Sequence, residues 1–199
     1  INAYWYKADR DLARQLIKLQ NEKLAALCAA QPDRFVAFAS VALQYPDLAA
    51  EQLDDAVKKL GLRGAAIGGS VNGEELADPK FHPFWAKAEE LGCLVFIHPQ
   101  ANPDFEKRLK GNGGLINVIG NPLETTVAAG HLILSGVMDA YPRLKILLAH
   151  GGGALPYLHG RLDRGFEQRP EINKIISRPP TEYLKQFYFD TITHDPVVL

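Results

Sequence analysis

Apolar residues along the chain alternate between two spacings, one helical and one of short unbroken runs. Leu12, Leu16, Leu19, Leu24 and Leu27 recur at near-helical intervals, which predicts a helix from Asp9 to Ala30 that stops before Pro32. Arg34 to Val41 is a short apolar run and reads as a buried strand. Pro46 to Leu60 reads as helix, with polar residues early, Leu53, Val57 and Leu60 on one face, and Gly61 closing it. Leu62 to Gly68 is a second strand, followed by a Gly/Ser/Asn loop, and Asp78-Pro79 opens a helix that runs to Leu91.

Leu94 to His98 is a third strand, ending at His98-Pro99. After a loop carrying Gly111, Gly113 and Gly114, a long helix is expected from Asn121 to near Tyr141. Asn121 would be its N-cap, Pro122 its first helical residue and Glu124 its capping-box acid. Lys145 to His150 is a fourth strand, Leu155 to Phe166 a helix, and Phe187 to Thr191 a fifth strand.

Strands too apolar to alternate, separated by helices, predict a parallel sheet covered on both faces. No linker, low-complexity tract or internal repeat divides the chain, so residues 1–199 read as one α/β domain. Periodicity leaves two architectures open, a doubly wound sheet and part of an eight-fold barrel, for which about 250 residues is typical.

Composition narrows the function. The 199 residues carry 22 Lys+Arg against 23 Asp+Glu and are 47% hydrophobic. That balance supplies no basic face for nucleic acid, and no apolar run reaches the roughly 18 residues a membrane helix needs. Neither a signal peptide nor a disulfide framework is visible, Cys28 and Cys93 being two lone cysteines, so a cytoplasmic protein with reduced thiols is expected.

Binding and catalytic groups in both architectures gather where parallel strands end. His98 and His150 occupy that place on successive strands, where imidazole can bind a divalent metal or move protons near neutral pH. Gly151-Gly152-Gly153 is open to two readings, a plain strand-to-helix turn or amide groups aimed at an anion. Asp190 could orient a histidine or cap a turn, and His194-Asp195-Pro196 looks like a helix start. His82 and His131 read as structural. His159 and Arg161 lie on the helix after the glycines, able to face the same mouth or a neighbouring subunit.

Several strings, in order along essentially the whole chain, resemble the amidohydrolase-related family. They are Phe96-Ile97-His98-Pro99, Asn121-Pro122-Leu123-Glu124-Thr125-Thr126, His150-Gly151-Gly152-Gly153-Ala154-Leu155-Pro156, Gly160-Arg161, and Phe189-Asp190 with His194-Asp195-Pro196. Within that family the chain looks most like the branch of α-amino-β-carboxymuconate-ε-semialdehyde and γ-resorcylate decarboxylases. The resemblance implies a metal-dependent (β/α)₈ TIM barrel, with the strands above as about its third to seventh. It implies that His98 is the fifth-strand metal ligand and His150 the sixth-strand acid/base. By the same resemblance Arg161 reaches the substrate carboxylate in a partner subunit's site, hence a homodimer. The family's first-strand ligand pair and eighth-strand Asp have no counterpart between Ile1 and Leu199, so a chain partial at both ends is expected. Asn117 stands where the aminocarboxymuconate enzyme has a Trp, so a different acid is expected.

The reaction this implies is non-oxidative decarboxylation of an aromatic or unsaturated carboxylic acid, with zinc as first and manganese as second choice of metal. The runner-up is metal-dependent hydrolysis of a lactone or amide, since strand-end histidines serve both. A binding protein that has kept the barrel is a third possibility. No G-x-G-x-x-G or P-loop suggests a redox cofactor or nucleotide. Gln100 to Ile119 is the expected specificity loop.

Overall fold

Four short apolar strands, β1 (Gly64–Ile67), β4 (Leu94–Ile97), β5 (Lys145–Leu148) and β6 (Phe187–Phe189), pair in parallel in that order. They were located in a computed structural model that describes residues 4–100, 102–111 and 113–197. Each parallel neighbour needs a crossover, and the helices expected from the 3.6-residue pattern supply them: α3 (His82–Leu91) between β1 and β4, α5 (Asn121–Leu134) and α6 (Val137–Ala140) between β4 and β5, and α7 (Leu155–Gln168) after β5. α1 (Arg10–Ala30) and α2 (Pro46–Lys58) precede the sheet. Val95, Ile97, Ile146 and Leu148 pack outward against this helical layer with Phe84, Trp85, Leu132, Ile133 and Tyr183, all buried. Ala66, Phe96 and Leu147, in register across β1, β4 and β5, form the opposite face and are half-buried.

The run 34–41 is only partly the buried strand expected. Ala39 bridges to β1, through Ala39 N–H to Gly64 O (2.8 Å) and Ala66 N–H to Ala39 O (2.9 Å), and Ala37 O accepts from Arg63 N–H (2.9 Å) just before it. Val36 is 71% exposed. On the edge facing away from β1, both backbone groups of Ser40 are taken by the buried Asn21 side chain: its Nδ2 donates to Ser40 O, and Ser40 N–H donates to its Oδ1, each at 2.9 Å. The amide imitates one rung of a neighbouring strand.

Two further local expectations are corrected. The helix expected from Asn121 to Tyr141 breaks at Ser135-Gly136, where Gly136 takes φ 80°. Asn121 is not a cap: the chain enters α5 from a π-helical turn, Ile116–Gly120, and Asn121 already has helical angles with its N–H bonded to Ile116 O. Glu124 is therefore not needed as a capping-box acid and serves elsewhere. At His194-Asp195-Pro196, Asp195 Oδ1 accepts from Val197 N–H (2.8 Å), as a cap would, and residues 198 and 199, which would continue the expected helix, lie outside the described residues. The loop after β1 holds a small antiparallel pair, β2 (Ser70–Val71) and β3 (Glu74–Glu75). The expected specificity loop contains α4 (Pro103–Leu109); Ala101 and Asn112 of that loop lie outside the described residues. Pro180–Tyr183 (α9) and Pro170–Asn173 (α8) lead into β6.

Candidate functional site

Register brings the strand-end residues together. Ile67, Ile97 and Leu148 are partners, and the chain continues the ladder by one rung through His98 N–H to Ile67 O (2.9 Å), Ala149 N–H to Ile97 O (3.1 Å) and Asp190 N–H to Leu148 O (3.1 Å). His98 and Asp190 thus leave the sheet at one level on its inner face. His150 follows one residue later and turns back: its φ of +58° redirects the side chain, and the two imidazole centroids stand 5.3 Å apart with planes at 53°. A left-handed non-glycine backbone costs about 1–2 kcal/mol, so the surrounding turn must hold it.

Three successive glycines hold that turn. Gly151, Gly152 and Gly153 all have positive φ, and a Cβ at each would run into Thr193, Phe189 or the Pro122 carbonyl oxygen respectively. Their amides are occupied: Gly151 N–H donates to Asp190 Oδ1 (2.8 Å), Gly152 N–H to Ala149 O (3.0 Å) and Gly153 N–H to His150 O (2.9 Å). Of the two readings of the triplet, the strand-to-helix turn is the one realised, closely packed, and none of the three amides is left over for an anion. Asp190 is likewise a structural cap, since the same Oδ1 also accepts from Ile192 N–H (3.1 Å).

The two histidines differ in their surroundings. His98 Nδ1 lies 3.1 Å from Pro99 O, its ring meets the edge of Phe96, and Phe96 in turn contacts Phe38. His150 Nδ1 is buried without a hydrogen-bond partner. Desolvation, helped by the neighbouring His98 and opposed by the Asp190 carboxylate, pushes the His150 pKa below the ordinary histidine value. At neutral pH His150 is a neutral imidazole with an unused nitrogen, a state suited to accepting a proton or coordinating a cation.

Arg161 is exposed on α7 and makes no ion pair or hydrogen bond among the described residues. It shares a helix face with Tyr157, one turn earlier and 89% exposed. His159 is also exposed, its Nδ1 2.6 Å from Pro156 O. His82 is structural as expected, bonded to the Tyr141 hydroxyl at 2.9 Å, and His131 lies on the surface 3.7 Å from Glu75. Sequence reasoning missed Tyr4 and Tyr6, a stacked pair that braces the strand ends. Tyr4 Oη donates to His98 O (2.9 Å), and Tyr6 Oη accepts from Gly68 N–H (3.0 Å). Their alternation around Trp5 was the available signal.

Among the described residues no three of the His, Cys, Asp and Glu side chains cluster as a complete metal site. The chemistry of the pair nevertheless fits a share of one, namely two imidazoles at a strand edge, one with a buried, unspent nitrogen.

The Amidohydrolase family pattern matches residues 7–199, and the chain belongs to that family. It is 34% identical over 98% of its length to 2-amino-3-carboxymuconate-6-semialdehyde decarboxylase of Dictyostelium discoideum, and 35% identical over 92% to gamma-resorcylate decarboxylase of Rhizobium radiobacter. Among solved structures, 5-carboxyvanillate decarboxylase from Sphingomonas paucimobilis superposes with TM-score 0.86 at 30% identity, covering 92% of this chain and 56% of that one. A dihydroxybenzoic acid decarboxylase from Polaromonas, solved with bound manganese and 2-nitroresorcinol, superposes with TM-score 0.81 at 31% identity, covering 94% and 60%. The chain spans about half the length of the curated relatives it matches, 54% and 56%. Its parallel sheet and crossover helices are accordingly part of an amidohydrolase (β/α)₈ barrel, as expected.

Proposed function

We propose that this chain carries one side of the active site of a divalent-metal-dependent, non-oxidative decarboxylase acting on an aromatic or unsaturated carboxylic acid. The observation that carries the reading is the His98–His150 pair, 5.3 Å apart at the ends of adjacent strands, with His150 Nδ1 buried and unpartnered. The relatives named above, all decarboxylases, support the reaction class. In this reading residues 1–199 all belong to one barrel domain, of which they are a part.

His98 is the metal ligand this chain contributes. A zinc site takes three or four protein ligands, so the remaining donors lie outside the residues described. The metal, zinc or the manganese seen in the Polaromonas relative, would act as a Lewis acid toward the substrate's oxygens. His150, kept neutral by partial desolvation, takes the acid's proton on its imidazole and passes it to the substrate carbon. As the C–C bond breaks, its electron pair stays on that carbon, CO₂ leaves, and the carbon takes the proton. Arg161, unpaired and exposed beside Tyr157, binds the carboxylate of substrate held by a second copy of the chain, which makes the protein a homodimer. A cytoplasmic location agrees with the free cysteines, and no helix among the described residues is long and apolar enough to cross a membrane.

The test is CO₂ release by the full-length protein from a panel of hydroxybenzoates and muconate-like acids, beside proton release from lactones. CO₂ from at least one acid, abolished in His150→Ala, is expected. Lactone or amide hydrolysis with no CO₂ would replace the reading with the hydrolase one.

A further inference from the structure

Glu124 is 3% exposed on the first turn of α5, yet it is not needed to start that helix. Both its carboxylate oxygens are used across the sheet's carboxyl edge. Oε1 accepts from Ser70 Oγ (2.7 Å), in the loop after β1, and Oε2 accepts from Asn102 Nδ2 (2.9 Å), in the loop after β4. Gly69 makes room for it, since a Cβ there would stand 2.6 Å from Glu124 Cγ. Asn102 is four residues beyond His98 and is the N-cap of α4, its Oδ1 accepting from Asp104 N–H (3.0 Å). The cap fixes the amide's orientation, so its NH₂ must point at Glu124.

We propose that Glu124 is a positioning residue: its carboxylate ties the β1 loop to the α4 loop and so sets where α4, which begins five residues beyond His98, stands. The argument depends on donor and acceptor count. Ser70 Oγ and Asn102 Nδ2 both donate, and only a carboxylate accepts from two donors at once at two oxygens. An amide at 124 would accept from Ser70 but set its own NH₂ against that of Asn102. Asn102 cannot flip without losing the α4 cap. The tie is part-buried, with Glu124 itself buried, and charge-assisted, which makes it strong and its half-removal costly. The substrate consequence rests on the decarboxylase reading above; the loop tie itself does not.

The experiment is limited trypsin cleavage of the full-length protein, comparing sites in and beside α4 (Lys107, Arg108, Lys110) with the surface lysines Lys58 and Lys59 of α2. In Glu124→Gln, cleavage near α4 is expected to rise about tenfold, as for loss of a hydrogen bond to a buried charge, with α2 unaffected. Asn102→Asp should do the same, by placing two carboxylates face to face. In the double variant Glu124→Gln/Asn102→Asp the new Nε2 donates to the new carboxylate, which still caps Asp104 N–H, so cleavage should return toward wild type. If Glu124→Gln alone fails to fold, refolding in the double variant supports the tie, and failure to refold overturns it. Wild-type cleavage in Glu124→Gln, or a double variant no better than the worse single, also overturns it. In the full-length enzyme KM for the acid should rise more than kcat falls in Glu124→Gln. Absent CO₂ release would refute the reaction while leaving the cleavage result to decide the tie.

Discussion

Gly153→Ala tests why the turn after His150 is glycine-rich. Gly153 has φ +62°, and a methyl there would overlap the Pro122 carbonyl oxygen and lie 2.6 Å from Thr126 Oγ1. That hydroxyl donates to Pro122 O and accepts from Ala154 N–H, both at 2.8 Å, so the clash falls on the joint between α5 and α7. Left-handed backbone for an L-residue costs about 1–2 kcal/mol. Forcing a well-packed neighbour aside adds about 1–3 kcal/mol, and the strained Ala154–Thr126 bond about 1 kcal/mol more. The expected loss is therefore about 3–6 kcal/mol, enough to unfold a marginal domain. Gly160 on α7 is the control, because a Cβ there meets nothing within 4 Å. Gly160→Ala should gain about 0.5–1 kcal/mol from helix propensity. Urea unfolding of the full-length protein, reading midpoint and slope, measures both. A Gly153→Ala variant within about 1 kcal/mol of wild type would refute the close-packing account, since extrapolation error is smaller than the effect expected.

Three other outcomes are expected. Asn21→Ala strands both backbone groups of Ser40 inside the protein and should lower unfolding free energy by about 2–5 kcal/mol, and Asn21→Asp, which sets a carboxylate oxygen against the Ser40 carbonyl in a buried site, should be no better. Full-length protein should carry about one divalent metal per chain by elemental analysis, largely lost in His98→Ala; equal metal content in the two would remove His98 from the site. The Arg10 guanidinium, bonded to Asp47 at the start of α2, holds the Asp47 carboxyl down to about 2. A depressed carboxylate contributes stability above its unfolded value of 3.8, lost as pH falls toward about 2. Asp47→Asn should flatten stability against pH in that window, by a small amount that salt reduces, because the pair is exposed. A variant whose acid transition matches wild type in low salt would remove the pair from the account.

The helices and central strands were legible because each buries an apolar face, and burial imposes a period that the sequence must carry. Leu94 to Ile97 and Ile146 to Ala149 are continuous apolar runs because both faces of a barrel strand are covered. His98 and His150 were visible for the same reason, each following such a run directly. The order of family-like strings sufficed to indicate the amidohydrolase barrel before any coordinate.

Tertiary structure alone decided what non-local partners control. Residues 34–41 have a strand's composition, but pairing is settled by what lies alongside, and on the edge away from β1 it is the Asn21 side chain of α1 that takes the Ser40 backbone. Asn121 and Glu124 satisfy the local rule for a helix start, yet the preceding π-helical turn already occupies the amide, freeing Glu124 to bind Ser70 and Asn102, 54 and 22 residues away. The glycine triplet shows the same division. Its sequence demands unusual backbone, but only the approach of Thr193, Phe189 and Pro122 shows that the demand comes from packing and not from a ligand. Periodicity is a local property and is written in the chain. A hydrogen-bond partner tens of residues distant is chosen only when the fold has closed, and so the 5.3 Å between two histidines could be expected as neighbourhood but measured only in three dimensions.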